Sequence, residues 1–209
     1  MNPLSTMKTT LLVLAALALM LVLTAGCGVM GKTGLNLGGN PSHTYTYNKL
    51  PENLDDLLEL PGAAEMTDPY AVAALTVAAL TRYGESTSDC IQMLNYLKGP
   101  GSVSGYDAQF LRDRLQGKSY IPYSYFHGAT PQNNYTPGKP YKITVTSNQY
   151  SFTTDGSGHE WCSLMVTSGG ADNPRHIKLR KKGSTGQWFL NDILCLSDIR
   201  TPANQDPWY

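Results

Sequence analysis

The stretch Asp68-Pro-Tyr-Ala-Val-Ala-Ala-Leu-Thr-Val-Ala-Ala-Leu-Thr-Arg-Tyr-Gly84 decides the fold. Asp68 can accept the free amides of a first helical turn, Pro69 suits the first helical position, and Gly84 suits a left-handed cap. Between them the sequence is apolar nearly all round, which predicts a buried central helix rather than a surface one. Its alanines allow neighbours to approach closely. A membrane span is the rival reading; Thr76, Thr81, Arg82 and the short length argue against it.

Shorter helices flank this one. Pro51–Gly62 reads as a brief amphipathic helix with Leu54, Leu57, Leu58 and Leu60 to one side, ended by Pro61-Gly62. Ser86-Thr-Ser-Asp89 resembles a capping box opening a helix to Lys98, with Ile91, Leu94 and Leu97 facing inward and Gly99-Pro100-Gly101 as its stop. Ser104-Gly-Tyr-Asp107 repeats the device ahead of Phe110, Leu111 and Leu115, and Gly117 closes that helix. From Ser119 the character changes to β. Tyr141, Ile143 and Val145 alternate with Lys142, Thr144 and Thr146, the mark of a half-buried strand. Residues 150–154, 160–168, 176–182 and 187–196 continue the pattern, with turns at Asp155–Gly158, Gly169-Gly170 and Gly183–Gly186. The chain is therefore expected to be α+β, its N-terminal helices packed on one face of a C-terminal antiparallel sheet. A cone-shaped sheet of the nuclear-transport-factor or cystatin type would match this order by analogy.

The N-terminus reads differently. Lys8 precedes an unbroken apolar run from Leu11 to Leu23, shorter than the ~20 residues of a membrane-spanning helix, and the run closes on Thr24-Ala-Gly-Cys27. These four residues resemble a lipobox, with Thr24 where leucine is commoner. The resemblance implies a diacylglycerol on Cys27, cleavage before it, and a lipid-anchored protein on the extracytoplasmic face of the cell membrane. Residues 1–26 are then a signal peptide, and residues 27–43, with their run of glycines, a flexible tether that includes His43. A single domain is expected over 44–209. An uncleaved anchor and ordinary secretion are the competing readings. Gly26–Thr33 also fits the phosphate-loop pattern GxxxxGK[ST], but an export signal precedes it and Gly34, Gly38, Gly39 and Pro41 allow no helix after it.

Residues 28–99 carry four Lys/Arg and eight Asp/Glu, and residues 100–209 carry eleven and eight. This part of the chain is near −1, too weak a field to indicate nucleic acid. Beyond Cys27, an odd set of three cysteines (Cys90, Cys162 and Cys195) stands at no zinc or redox spacing, so buried free thiols are preferred to one optional bridge.

Asp68–Leu80, Met93–Pro100, Phe110–Arg114, Ala129–Pro137, Ser168–Arg175, Gln187–Leu190 and Asp206-Pro-Trp208 together resemble a family of bacterial proteins described only as a domain of unknown function and often as lipoproteins. The resemblance spans about residues 44–209 and implies one domain of that family. It brings no catalytic residues.

Candidate chemistry is sparse. His43, His127, His159 and His176 sit in no HExxH, and no GxSxG elbow occurs, so no catalytic residue, metal ligand or cofactor is indicated. His159-Glu160 reads as the solvated start of a strand. In Pro174–Lys182, Ile177 and Leu179 point one way and His176, Lys178, Arg180 and Lys182 the other. Such a basic stripe is either a charged edge that resists aggregation or a contact for anionic phospholipid or wall polymer, with Lys178 and Arg180 as its centre. Tyr120, Tyr123, Tyr125, Phe126, Tyr135 and Tyr141 lie on loops stiffened by Pro122, Pro131, Pro137 and Pro140. They form either a lid over the core or an aromatic platform for a ligand, with Tyr123, Tyr125 and Tyr135 as candidates; the lid is preferred. The expected function is a binding or interaction module. A small hydrolase-like envelope enzyme with a pocket in the sheet's concavity, or a structural envelope component, are the alternatives.

Overall fold

The computed structural model describes residues 40–208. The segment read as a signal peptide, Cys27, most of the segment read as a tether and the phosphate-loop-like pattern lie outside the described residues. In chain order the elements are β1 (Ser42–Tyr47), α1 (Leu54–Leu58), α2 (Pro69–Leu80), α3 (Thr87–Lys98), α4 (Gly105–Leu115), α5 (Tyr120–Tyr123), β2 (Tyr141–Thr146), β3 (Phe152–Thr154), β4 (Glu160–Val166), β5 (Arg175–Lys181) and β6 (Trp188–Leu194). The architecture is α+β, as the sequence predicts.

The sheet is antiparallel with strand order β1-β2-β4-β5-β6, and β3 also pairs with β4. Alternation sends Ile143, Val145, Cys162, Leu164, Val166, Ile177, Leu179 and Leu190 to one buried face. Helix α2 lies on that face, touching β1, β2, β4, β5 and β6, while α3 and α5 pack against the helix. Every residue from Tyr70 to Leu80 is buried, which explains why α2 has no polar side. The two hydroxyls inside it bond backward, Thr76 to the Val72 carbonyl at 2.8 Å and Thr81 to the Ala78 carbonyl at 2.7 Å.

Local chemistry sets the helix starts. Asp68 accepts from the Tyr70 amide at 2.9 Å, and its other oxygen accepts from the Tyr45 hydroxyl, tying α2 to β1. Ser86 caps α3, and Ser104 with Asp107 forms a full capping box on α4. Gly99 and Gly117 take positive φ at the ends of α3 and α4.

Three expectations need correction. Gly84 is not a left-handed cap: α2 continues into a tight turn over Thr81–Gly84, and glycine is needed because a Cβ there would stand 2.9 Å from Ser119 Cβ. Residues 119–140 are not β; they form α5 and a second tight turn at Pro131–Asn133. Ser42 and His43 belong to β1 rather than to a tether. That strand pairs with β2 in register from Ser42↔Thr146 to Tyr47↔Tyr141, and His43 stacks on Tyr70 with ring centroids 4.0 Å apart.

Residues 40–208 form one compact unit with its own core, which gives it what independent folding requires. Among the described residues no helix is long and apolar enough to cross a membrane.

Candidate basic face and cleft

The face of the sheet turned away from α2 carries the basic stripe. With Ile177 and Leu179 packed inward, His176, Lys178 and Arg180 must point outward. Strand register fixes their neighbours. Arg180 lies between Trp161 and Phe189, Lys178 between Ser163 and Asp192, and His176 between Met165 and Leu194. Arg180 rests over the Trp161 ring, its guanidinium carbon 4.8 Å from the centroid. His176 Nδ1 meets Ser163 Oγ at 3.1 Å, and Lys178 Nζ stands 4.0 Å from Asp192 Oδ2. No carboxylate of the described residues pairs with Arg180 or Lys182. Lys181 faces the other way, bonded to Glu160 at 2.6 Å.

One end of this face deepens into a cleft of about 340 Å³, lined among others by Lys98, Pro100, His159, Arg180, Lys182 and Phe189. It forms where the end of α3 reaches the free edge of β6. Lys98 Nζ donates to the Asn191 carbonyl at 3.1 Å and pairs with Asp107 at 3.4 Å, pinning α3 to that edge. Phe189 lies against Gly99, so closely that a Cβ on Gly99 would fall 2.1 Å from the ring.

His159 enters the cleft on a turn that Asp155 builds. Asp155 Oδ1 accepts the Ser157 and His159 amides at 2.9 Å; Oδ2 accepts from His159 Nδ1 at 3.0 Å and Trp161 Nε1 at 3.1 Å. The His159 amide first, and the Trp161 indole next, hold the Asp155 carboxyl well below the usual carboxylate range. Asp155 is thus the orienting partner of His159, whereas the adjacent Glu160 serves Lys181. Sequence reading missed it, although an aspartate opening a Gly-Ser-Gly turn four residues before a histidine was a usable signal.

The aromatic candidates separate sharply. Tyr125 and Tyr135 are buried, 2 % exposed each, with hydroxyls donating to the carbonyls of Cys195 and Arg200. Burial raises both hydroxyl pKa values, that of Tyr135 to about 12. Tyr135 also stacks on Tyr120 at 5.3 Å and closes over Gly170, where a Cβ would stand 1.9 Å from its hydroxyl. These two rings belong to the lid over the core and offer no face to a ligand. Tyr123 is half-buried, and burial raises its hydroxyl pKa as well. Of the five ligand candidates, Lys178 and Arg180 share the open face, and the structure does not bring the tyrosines to it.

Cys90, Cys162 and Cys195 are buried and free. Burial pushes each thiol up to about 12, which leaves almost no thiolate to act as a nucleophile. Among the described residues no three His, Cys, Asp or Glu side chains gather as a metal site.

A family model described as "Domain of unknown function (DUF6935)" matches residues 49–203, so the chain belongs to that family. No curated protein and no solved structure matches it.

Proposed function

We propose that this member of the DUF6935 family is a non-enzymatic binding module, held on the extracytoplasmic side of the cell membrane by a diacylglycerol on Cys27, whose open sheet face docks on anionic phospholipid. The observation that carries the reading is Arg180 and Lys182, two outward cations without a carboxylate partner among the described residues. Helix α2 fills the inner face of the sheet, which favours binding at a surface over catalysis in a concavity. Each basic residue near an anionic bilayer contributes ~1 kcal/mol, so a few act only as a weak second contact beside a lipid anchor.

Residues 40–209 without lipid should co-sediment weakly with phosphatidylglycerol vesicles at low salt and be released at high salt, because the screening length is only ~8 Å at physiological ionic strength. Lys178→Glu with Arg180→Glu should abolish sedimentation. Equal, negligible binding by wild type and double variant would leave a charged, solubilising edge and nothing more.

The anchor has its own test. In cells fed a labelled fatty acid, Cys27→Ser should lose the label and accumulate as unprocessed precursor. Label retained by the variant would remove the lipoprotein reading, since Cys90, Cys162 and Cys195 are enclosed in the core.

A further inference from the structure

We propose that the cleft beside β6 is a binding site for phosphate monoesters of small polyols, an inference that rests on the anion-binding reading above and names its ligand class. The argument begins with charge. Four cations line the cleft, but Lys98 is paired with Asp107 at 3.4 Å and Lys181 with Glu160 at 2.6 Å. Lys98 also offsets the negative end of the α3 dipole at the same rim. Arg180 and Lys182 remain, two unpaired charges at one small site. A phosphate monoester carries about −1.5 to −2 near neutral pH and so matches both; a diester carries one charge and leaves a cation unanswered.

Donor geometry points the same way. Trp161 holds the Arg180 guanidinium carbon 4.8 Å from its ring centroid at the cleft, and a guanidinium without a carboxylate partner among the described residues has N–H groups to give two oxygens of one phosphate. Lys182, exposed just past the end of β5 and lining the same cleft, supplies a point charge. His159 gives Nδ1 to Asp155, leaving Nε2 as its free nitrogen. A P–OH group of a monoester can donate to that nitrogen, a hydrogen bond that a diester cannot make.

The remaining wall is carbon. Pro100 and the half-buried Phe189 offer an apolar surface to the C–H side of a short polyol or a sugar ring. A volume of about 340 Å³ is at the lower end for ligand sites and suits a molecule of glycerol-phosphate or sugar-phosphate size.

The test titrates the full chain, purified in non-ionic detergent, with glycerol 3-phosphate, glycerophosphoglycerol and inorganic phosphate by calorimetry. Glycerol 3-phosphate should bind about tenfold or more tighter than the diester, the equivalent of one charge-assisted hydrogen bond. Inorganic phosphate should bind more weakly than the ester because it lacks the carbon contacts. Lys182→Gln and His159→Ala should each weaken the ester about tenfold while leaving the melting temperature unchanged. Lys142→Gln, an exposed lysine on β2, is the control and should change nothing. Equal affinity for monoester and diester, or an equal loss in Lys142→Gln and Lys182→Gln, would overturn the assignment. Competition by phosphatidic acid vesicles would assign the monoester to a lipid headgroup, and its absence to a soluble ester; both outcomes keep the chemistry. Failure of phosphatidylglycerol vesicles to sediment the protein, with ester binding intact, would remove the membrane-docking reading and leave this one standing.

Discussion

Ala74→Asp should leave the domain without a cooperative thermal transition. Ala74 is fully buried in the middle of α2, with the sheet on one side and α3 on the other. A carboxylate there has no cation within the helix and no room for water. An isolated buried charge that cannot find a partner costs several kcal/mol even after its pKa has moved. Domains of this size are stable by only about 5–15 kcal/mol, so one such substitution removes most of the margin. Asp68→Ala makes the comparison sharp. It deletes the cap on the Tyr70 amide and the contact with the Tyr45 hydroxyl, at the half-buried start of the same helix. That loss should be ~1 kcal/mol, read as a modestly lowered melting temperature. If circular dichroism finds Ala74→Asp melting as wild type does, α2 is not the core of this fold.

The central helix could be read because its signals are local. Asp68, Pro69 and the apolar circumference lie within a single stretch, and the capped starts at Ser86 and Ser104 are equally self-contained. Strands β2 and β5 could be read for the same reason, since a period of two assigns each residue its face without reference to a partner. Strand β1 carries that period too, with His43, Tyr45 and Tyr47 inward and Thr44 and Thr46 outward. Its brevity and the glycine-rich run before it hid the signal, and its partner β2 lies about a hundred residues downstream. Nothing local announces a pairing that distant.

The site divides along the same line. The outward cations of β5 follow from alternation alone. The cleft does not, because Lys98 and Pro100 arrive from the end of a helix and His159 from a turn between strands. Only tertiary packing places them beside Arg180. The tyrosines teach the converse. Their composition suits a lid and a platform equally, and the choice is made by which carbonyls their hydroxyls can reach.

Gly99 joins the fold to the cleft, and Gly99→Ala should damage both. Its backbone has φ +57° and ψ −116°, a conformation that side chains with a Cβ rarely adopt, and holding one there costs ~1–3 kcal/mol. The added methyl would also stand 2.1 Å from the Phe189 ring, so the ring must move; overpacking of this kind costs a further ~1–3 kcal/mol. A total of about 3 kcal/mol should lower the melting temperature by roughly 6–12 °C in a domain of this length. Gly101→Ala, two residues on, is the proper control. Its Cβ would meet only the Lys98 carbonyl at 3.7 Å, an ordinary contact, and its stability should stay within ~0.5 kcal/mol of wild type. Phe189 is a wall of the cleft, so displacing it should also weaken glycerol 3-phosphate binding in Gly99→Ala at temperatures where the variant is still folded. A Gly99→Ala protein as stable as Gly101→Ala would mean that Phe189 does not rest on the end of α3. The edge of β6 would then be free of that helix, and the cleft would lose the wall that gives it a shape.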